Sequence, residues 1–190
     1  MAKTAKKAAK GAKKKMKEVK KVEEVKKKRA KPQAAGLVEV GKKAPAFKLP
    51  NQHGDTRQLK DFKGKWLVLY FYPKDDTPGC TVEACGFRDE TKAYTKRDAV
   101  IVGISPDSEK RHANFATKHR LPFELLADTE QAMCNAYGVW QEKSMYGRTY
   151  MGVARTTYLI DPSGKVAARW DKVKPKGHET EVLAKLDELK

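Results

Sequence analysis

Two cysteines five residues apart are the residues of this chain best suited to chemistry. Cys80 follows Pro78 and Gly79, where the sequence predicts the start of a helix, and Cys85 lies further along the same helix. Unpaired N–H groups and aligned peptide dipoles make a helix start electropositive, so a thiol there is biased toward the reactive thiolate. Two nearby thiols can also exchange electrons as a disulfide. The pair therefore predicts thiol redox chemistry.

The spacing of the two thiols sets a condition on any disulfide between them. Along an α-helix, Cys80 and Cys85 would have Cα atoms about 8.7 Å apart. A disulfide needs roughly 4.4–6.8 Å between Cα atoms. Gly86 and the β-branched Thr81 and Val82 are weak helix formers at this point. We therefore expect Cys80 to react within the folded helix, after which the turn opens and Cys85 condenses with the oxidised sulfur.

The residues just before Cys80 form a stiff loop with one hydroxyl. Thr77 lies three residues upstream, where a hydroxyl can donate to and accept from a bound substrate and the thiolate. Pro73 and Pro78 restrict the loop, and Pro78 has no N–H to compete in the pocket. Thr77 and Pro73 therefore join Cys80 as candidate catalytic residues.

The spacing Pro73-x3-Thr77-x2-Cys80 resembles the active-site signature of the peroxiredoxins. The fuller run from Thr77 to Cys85 is similar to the bacterioferritin comigratory protein (PrxQ) branch of that family. The resemblance covers about residues 37–188 and does not extend to the Lys-rich segment before them.

The resemblance implies a role for each matching residue. Cys80 would be the peroxidatic cysteine, oxidised to sulfenic acid, and Thr77 would orient the peroxide oxygens. Arg155 falls where the family places a pocket arginine, whose permanent charge and forked donors can favour the thiolate and polarise the O–O bond. Cys85 would be the resolving cysteine. The implied fold is thioredoxin-like, the implied substrates are hydrogen peroxide and organic hydroperoxides, and the implied reductant is thioredoxin or a similar dithiol.

Other interpretations remain open for several of these residues. The two thiols could form a dithiol switch or disulfide exchanger, although thioredoxins use Cys-x2-Cys and that role gives Thr77 and Arg155 no evident task. Thr77 could be only a turn or helix-cap residue, and Arg155 could form a sheet-edge salt bridge. Arg88 could join the pocket or pair with Asp89.

The third cysteine and the histidines do not suggest a metal. Cys134 is expected within a helix, on an apolar face without charged neighbours, as a buried structural thiol. Zinc usually takes four ligands, and no Cys-x2-Cys or His-x3-His set accompanies the cysteines. His112 and His119 lie on one predicted helix and suggest surface histidines. We expect no metal, haem, flavin or other cofactor.

The elements that must position these residues alternate between strands and helices. This order predicts an α/β protein with a central mixed β-sheet flanked by helices, in one domain over residues 36–190. Strands are predicted at 47–50, 56–59, 66–72, 99–105, 123–126, 155–160 and 166–170, and helices at about 78–96, 108–119, 128–137 and 178–189.

The positive charge is concentrated at the start of the chain. The formal net charge is +17, and residues 1–31 alone hold 15 Lys/Arg and 3 Glu. We expect residues 1–35 to be a disordered Lys/Ala-rich tail, because they carry too little apolar area to offset their ordering entropy. Lysine clusters release counterions from nucleic acid, so residues 1–31 suggest nonspecific nucleic-acid contact or merely a solubilising arm. A nucleic-acid-associated protein is therefore the rival from another class.

Nothing in the sequence suggests export or membrane insertion. No apolar run of about 7–15 residues follows the first charges, as a secretory signal requires. The longest apolar run, 66–72, is far shorter than the roughly 20 residues that span a bilayer. We expect a cytoplasmic monomer without membrane contact.

Overall fold

The computed structural model describes residues 36–145 and 147–190, so the expected tail at residues 1–35 lies outside the described residues. The strands are β1 (Lys48–Pro50), β2 (Thr56–Gln58), β3 (Trp66–Phe71), β4 (Ala99–Ser105), β5 (Glu124–Ala127), β6 (Trp140–Met145), β7 (Arg148–Val153), β8 (Thr156–Ile160) and β9 (Val166–Asp171). The helices are α1 (Pro78–Thr95), α2 (Glu109–His119), α3 (Ala132–Ala136) and α4 (His178–Leu189), and a 3-10 turn covers Leu59–Phe62. No helix in these two ranges is long and apolar enough to cross a membrane.

A central sheet of five strands has the order β5-β4-β3-β8-β9. β3 runs parallel to β4, and β4 runs parallel to β5. β8 is antiparallel to both β3 and β9. Every residue from Leu67 to Phe71 is buried, as expected for a strand covered on both faces. The predicted α/β fold with a central mixed sheet is therefore confirmed.

Successive side chains of β3 point to opposite faces of the sheet and divide the core into two clusters. Tyr70 belongs to the cluster that contains Phe87 of α1, together with residues of α2 and α4. Leu69 and Phe71 belong to the other, which contains Tyr158 of β8. α1 therefore packs on one face of the sheet, and its first turn lies just beyond the carboxyl end of β3.

The start of α3 differs from the sequence prediction. The helix begins at Ala132 instead of Asp128, and Gln131 before it has a left-handed backbone with φ of 54°. Asp128 still serves the helix start, because its carboxylate accepts the backbone N–H groups of Met133 at 3.1 Å and Cys134 at 2.7 Å. The cap is thus made from four residues further back than predicted.

The β6–β7 hairpin is absent from the sequence prediction. Most of β7 is exposed, including Tyr150 and Met151, so no alternation of apolar and polar residues marks it as a strand. The hairpin matters for the site, because the chain leaves β7 and passes through Arg155 into β8.

Gly103 of β4 lies against β3 where a side chain has no room. A Cβ on Gly103 would lie 2.6 Å from the Tyr70 hydroxyl oxygen and 2.7 Å from Leu125 Cδ2. We expect Gly103→Ala to lower the free energy of unfolding by about 1–3 kcal/mol, because overpacking displaces buried neighbours. Urea unfolding measures this, with Gly36→Ala as control, since a Cβ there meets nothing within 4 Å. Equal stability of both variants and the parent would contradict this packing.

Candidate active site

The loop after β3 delivers Cys80 into the first turn of α1. Thr77 is the N-cap residue with an extended backbone, and Pro78 occupies the first turn, where its missing N–H costs nothing. Cys80 is only 2% exposed and faces the core with Ala84. Cys85 is half-buried on the same uninterrupted helix, and both thiols are free. The predicted placement of the two cysteines on one helix is therefore confirmed.

Arg155 reaches across to α1 and contacts two of its side chains. Its Nη2 donates to Cys80 Sγ at 3.2 Å, and its Nη1 donates to Glu83 Oε2 in a short ion pair. Burial disfavours the charge on Arg155, but the attraction of Glu83 and Cys80 outweighs it and raises the Arg155 pKa. The structure thus brings Arg155 to Cys80, and the salt bridge considered for Arg155 lies inside the pocket instead of at a sheet edge.

Glu83 is the residue of this site that the sequence prediction missed. Its side chain is 1% exposed, and Oε1 has no hydrogen-bond partner among the described residues. Burial raises the pKa of Glu83 to about 7, although Arg155 acts in the opposite direction. A signal was available, because Glu83 lies three residues after Cys80 and therefore on the same helix face.

Thr77 and Pro73 belong to the loop that frames the thiol. Thr77 Oγ1 donates to the Lys74 carbonyl oxygen at 3.1 Å, which is the turn role considered for it. Its hydroxyl proton is therefore engaged by the loop, while the oxygen lone pairs remain able to accept a hydrogen bond. Pro73 is half-buried and begins the loop two residues after β3 ends.

A buried polar network anchors this loop to α2. Asp75, 3% exposed, accepts the Tyr72 hydroxyl at 2.6 Å and lies 2.8 Å from His112 Nδ1. His112 Nε2 lies 3.2 Å from the Leu126 carbonyl oxygen. The interpretation of His112 as a surface histidine is wrong, because its ring is fully buried; helical periodicity could not tell which face of α2 meets the sheet. Both ring nitrogens face acceptors, an arrangement that a doubly protonated ring satisfies.

Lys143 of β6 adds a second cation near the thiol. Its Nζ donates to the Val153 carbonyl oxygen. Burial lowers the pKa of Lys143, and Arg155 lowers it further, while Cys80 acts in the opposite direction. No sequence signal pointed to Lys143, because the β6–β7 hairpin was itself not predicted.

Arg88 lies outside the pocket and forms the alternative contact considered for it. It pairs with Asp89 at 2.8 Å and donates to the His119 carbonyl oxygen at 3.0 Å. His119 is mostly buried and lies 3.1 Å from Asp76.

Cys134 is remote from Cys80, in the core cluster on the other face of the sheet. It is fully buried as expected, but the expectation of no charged neighbour is wrong, because Asp128 accepts its backbone N–H. Burial raises the pKa of the Cys134 thiol, and Asp128 raises it further. Among the described residues, no group of three or more His, Cys, Asp or Glu could hold a metal ion.

Comparison with known proteins agrees with this fold and site. A model of the AhpC/TSA family matches residues 40–169. Peroxiredoxin Bcp of Bacillus subtilis is 50% identical over 152 residues, 80% of this chain and 97% of that protein. Peroxiredoxin Bcp of Escherichia coli is 43% identical over 151 residues, with the same coverage. The structure of Xanthomonas campestris bacterioferritin comigratory protein, solved for its alkyl peroxide reduction activity, aligns with a TM-score of 0.75 and 40% identity over 80% of this chain and 99% of that one.

The chain belongs to the AhpC/TSA family, and its thioredoxin-like fold and cysteine motif are those of a peroxiredoxin. It is therefore a thiol peroxidase, an oxidoreductase. Within the peroxiredoxins it falls in the bacterioferritin comigratory protein (PrxQ) branch, as the motif from Pro73 to Cys85 suggested.

The buried Glu83 carboxyl should make the stability of the protein depend on pH. The folded protein raises its pKa to about 7 from an ordinary value of 4.5, so folding favours the protonated form. The free energy of unfolding should therefore be highest at acidic pH and fall by up to about 3 kcal/mol as the pH rises through about 7. Urea unfolding of the parent and Glu83→Gln across this range measures the effect.

The Glu83→Gln variant should lose less stability over the same range, because its amide does not titrate. The exposed Glu39→Gln serves as the control and should follow the parent. Parallel curves for the parent and Glu83→Gln would contradict the assignment.

Proposed function

We propose that this peroxidase reduces hydrogen peroxide and organic hydroperoxides through a Cys80 sulfenic acid and a Cys80–Cys85 disulfide, and that thioredoxin or a similar dithiol recycles it. One observation carries the proposal: the buried Cys80 sulfur accepts a hydrogen bond from the Arg155 guanidinium in the first turn of a helix. A cation and a helix N-terminus both stabilise negative charge on that sulfur.

In the first step the Cys80 thiolate attacks the terminal peroxide oxygen. The S–O bond forms as the O–O bond breaks, and the leaving oxygen becomes an alcohol or water. Thr77 accepts the peroxide O–H through its free lone pairs, while Arg155 stabilises charge developing on the oxygens. Pro73 keeps the loop rigid so that this geometry is present before the substrate arrives. The alkyl peroxide reduction by the Xanthomonas campestris relative supports the inclusion of organic hydroperoxides.

In the second step the first turns of α1 must unwind. Both cysteines lie on the intact helix, where their Cα atoms are about 8.7 Å apart by helix geometry, beyond disulfide range. The half-buried Cys85 then displaces the hydroxyl of the Cys80 sulfenic acid as water. The opened turn leaves the disulfide within reach of an external dithiol, which returns both cysteines to thiols.

A dithiol exchanger remains the competing function for the cysteine pair. It would need an accessible attacking sulfur, whereas Cys80 is 2% exposed beneath Arg155. A small peroxide can enter such a pocket more readily than a protein disulfide can. The burial of Cys80 therefore favours the peroxidase.

Peroxide-dependent NADPH oxidation through thioredoxin reductase and thioredoxin tests the cycle. Cys80→Ser and Cys85→Ser should each lose turnover, but Cys85→Ser should still consume one equivalent of peroxide, because only Cys80 attacks it. Cys134→Ala should keep full turnover, since it lies on the other face of the sheet. Full activity of Cys80→Ser would refute the assignment of Cys80, and no thioredoxin-dependent oxidation by the parent would refute the proposed reductant.

The basic segment suggests a second property, nonspecific contact with nucleic acid through residues 1–31. Its 15 Lys/Arg against 3 Glu support counterion release, and the absence of aromatics argues against base stacking. Binding should therefore ignore sequence and weaken with salt. The peroxidase and this contact are compatible in one chain.

Six lysines at positions 13–15 and 26–28 provide the test of nucleic-acid contact. Changing all six to Gln should flatten the plot of log binding constant against log salt by up to about 5, at roughly 0.9 per phosphate contact. Fluorescence anisotropy with duplex DNA of two unrelated sequences measures it. An unchanged slope, or a clear preference for one sequence, would end the idea.

A further inference from the structure

One guanidinium serves two acidic groups in this site. Arg155 contacts both Cys80 Sγ and the Glu83 carboxylate, and both of these side chains are buried on the same face of α1. Arginine keeps its charge at any accessible pH, whereas a thiol and a carboxyl can each lose a proton. If both were ionised, the buried trio would carry a net negative charge, which is costly without solvent. One proton shared between the two acids keeps the trio neutral.

Hydrogen bonding around Glu83 also favours a proton on one of the two acids. Two buried side-chain polar atoms of the described residues have no hydrogen-bond partner: Glu83 Oε1 and the Tyr70 hydroxyl oxygen. A buried carboxylate oxygen without a donor costs free energy, and protonation of the carboxyl removes most of that cost. Oε2 meanwhile retains its contact with Arg155. Glu83 can therefore hold a proton without losing its place in the site.

The groups facing Glu83 from each neighbouring element point the same way. Burial raises the pKa of Glu83 to about 7; Arg155 opposes this, and Glu179 of α4 adds to it. Tyr70 of β3 keeps its own proton, because burial and the nearby Glu83 raise the Tyr70 pKa well above its ordinary value. At neutral and slightly acidic pH, Glu83 is thus the group beside Cys80 that can take up and release a proton.

We propose that Glu83 holds the proton that Cys80 gives up and returns it to the oxygen that leaves when the peroxide bond breaks. The inference rests on the proposed function. Before reaction the trio is thiolate, carboxylic acid and guanidinium. The sulfur electron pair forms the S–O bond, the O–O electron pair stays on the leaving oxygen, and that oxygen takes the Glu83 proton. After reaction the trio is sulfenic acid, carboxylate and guanidinium, and its net charge has not changed.

The later steps return the proton to Glu83 without any further acid or base. The Cys85 thiol attacks the sulfenic sulfur, the S–S bond forms, and the departing hydroxide takes the Cys85 proton to give water. The external dithiol then supplies two electrons and two protons, which restore both thiols. As α1 closes again, Cys80 transfers its proton to Glu83, and the pocket is ready for the next peroxide.

A proton inventory of one turnover distinguishes this role from a purely structural one. The full chain is mixed with one equivalent of hydrogen peroxide at about pH 6 in weak buffer with a pH indicator, and ultraviolet absorbance reports the thiolate. The parent should show the thiolate yet take up close to no proton from solvent, because Glu83 supplies it. Glu83→Gln keeps an oxygen for Arg155 but carries no titrating proton, so it should take up close to one proton per Cys80 oxidised. Its rate constant for peroxide should fall at least about tenfold.

Two further comparisons make every outcome decisive. Glu39→Gln, an exposed site, should match the parent in rate and proton uptake. Glu83→Asp, which can still carry a proton, should keep an uptake close to zero even if its rate falls. Uptake of about one proton by the parent, or an uptake by Glu83→Gln equal to that of the parent, would overturn the proton role while leaving the peroxidase intact. A parent that consumes no peroxide would instead overturn the proposed function itself.

Discussion

The fork of Arg155 on Cys80 and Glu83 is the interaction on which this site depends. It ties the segment between β7 and β8 to the first turn of α1, and it places a permanent cation against a buried sulfur. A buried thiolate would be unstable alone, and so would a buried guanidinium. Each of the three groups is tolerated because the other two are present. That mutual dependence explains why a reactive sulfur can lie almost wholly out of solvent.

The same arrangement turns α1 into a switch with two requirements that conflict. Attack on peroxide needs the first turn folded, because only then do the helix start, Thr77 and Arg155 surround Cys80. Disulfide formation needs the same turn open, because Cys85 is on the intact helix. The Tyr72–Asp75–His112 network holds the preceding loop in place from the other side. Opening can therefore be confined to α1 while the loop keeps its shape.

Much of this could be predicted from sequence, and the failures have physical reasons. The strands of the central sheet and the helix of Cys80 follow from apolar runs and turn residues, and the spacing of Thr77, Cys80 and Arg155 resembles a family signature. Glu83 was missed because a charged residue is not expected to be buried until its partner, 72 residues away, is known. His112 was misplaced for the same reason, since its burial depends on Asp75 in a distant loop. The β6–β7 hairpin lacks a buried face and therefore a periodic pattern.

Hydrogen exchange at the backbone amides of residues 80–87, read by mass spectrometry, tests the central claim most directly. The protein is compared as the dithiol and as the Cys80–Cys85 disulfide, with α4 as an internal reference. The account predicts that exchange across 80–87 is slow in the dithiol form and becomes much faster in the disulfide form, while the core of α4 stays protected. Equal protection of 80–87 in the two forms would contradict it, because the helix would then have formed the bond without opening.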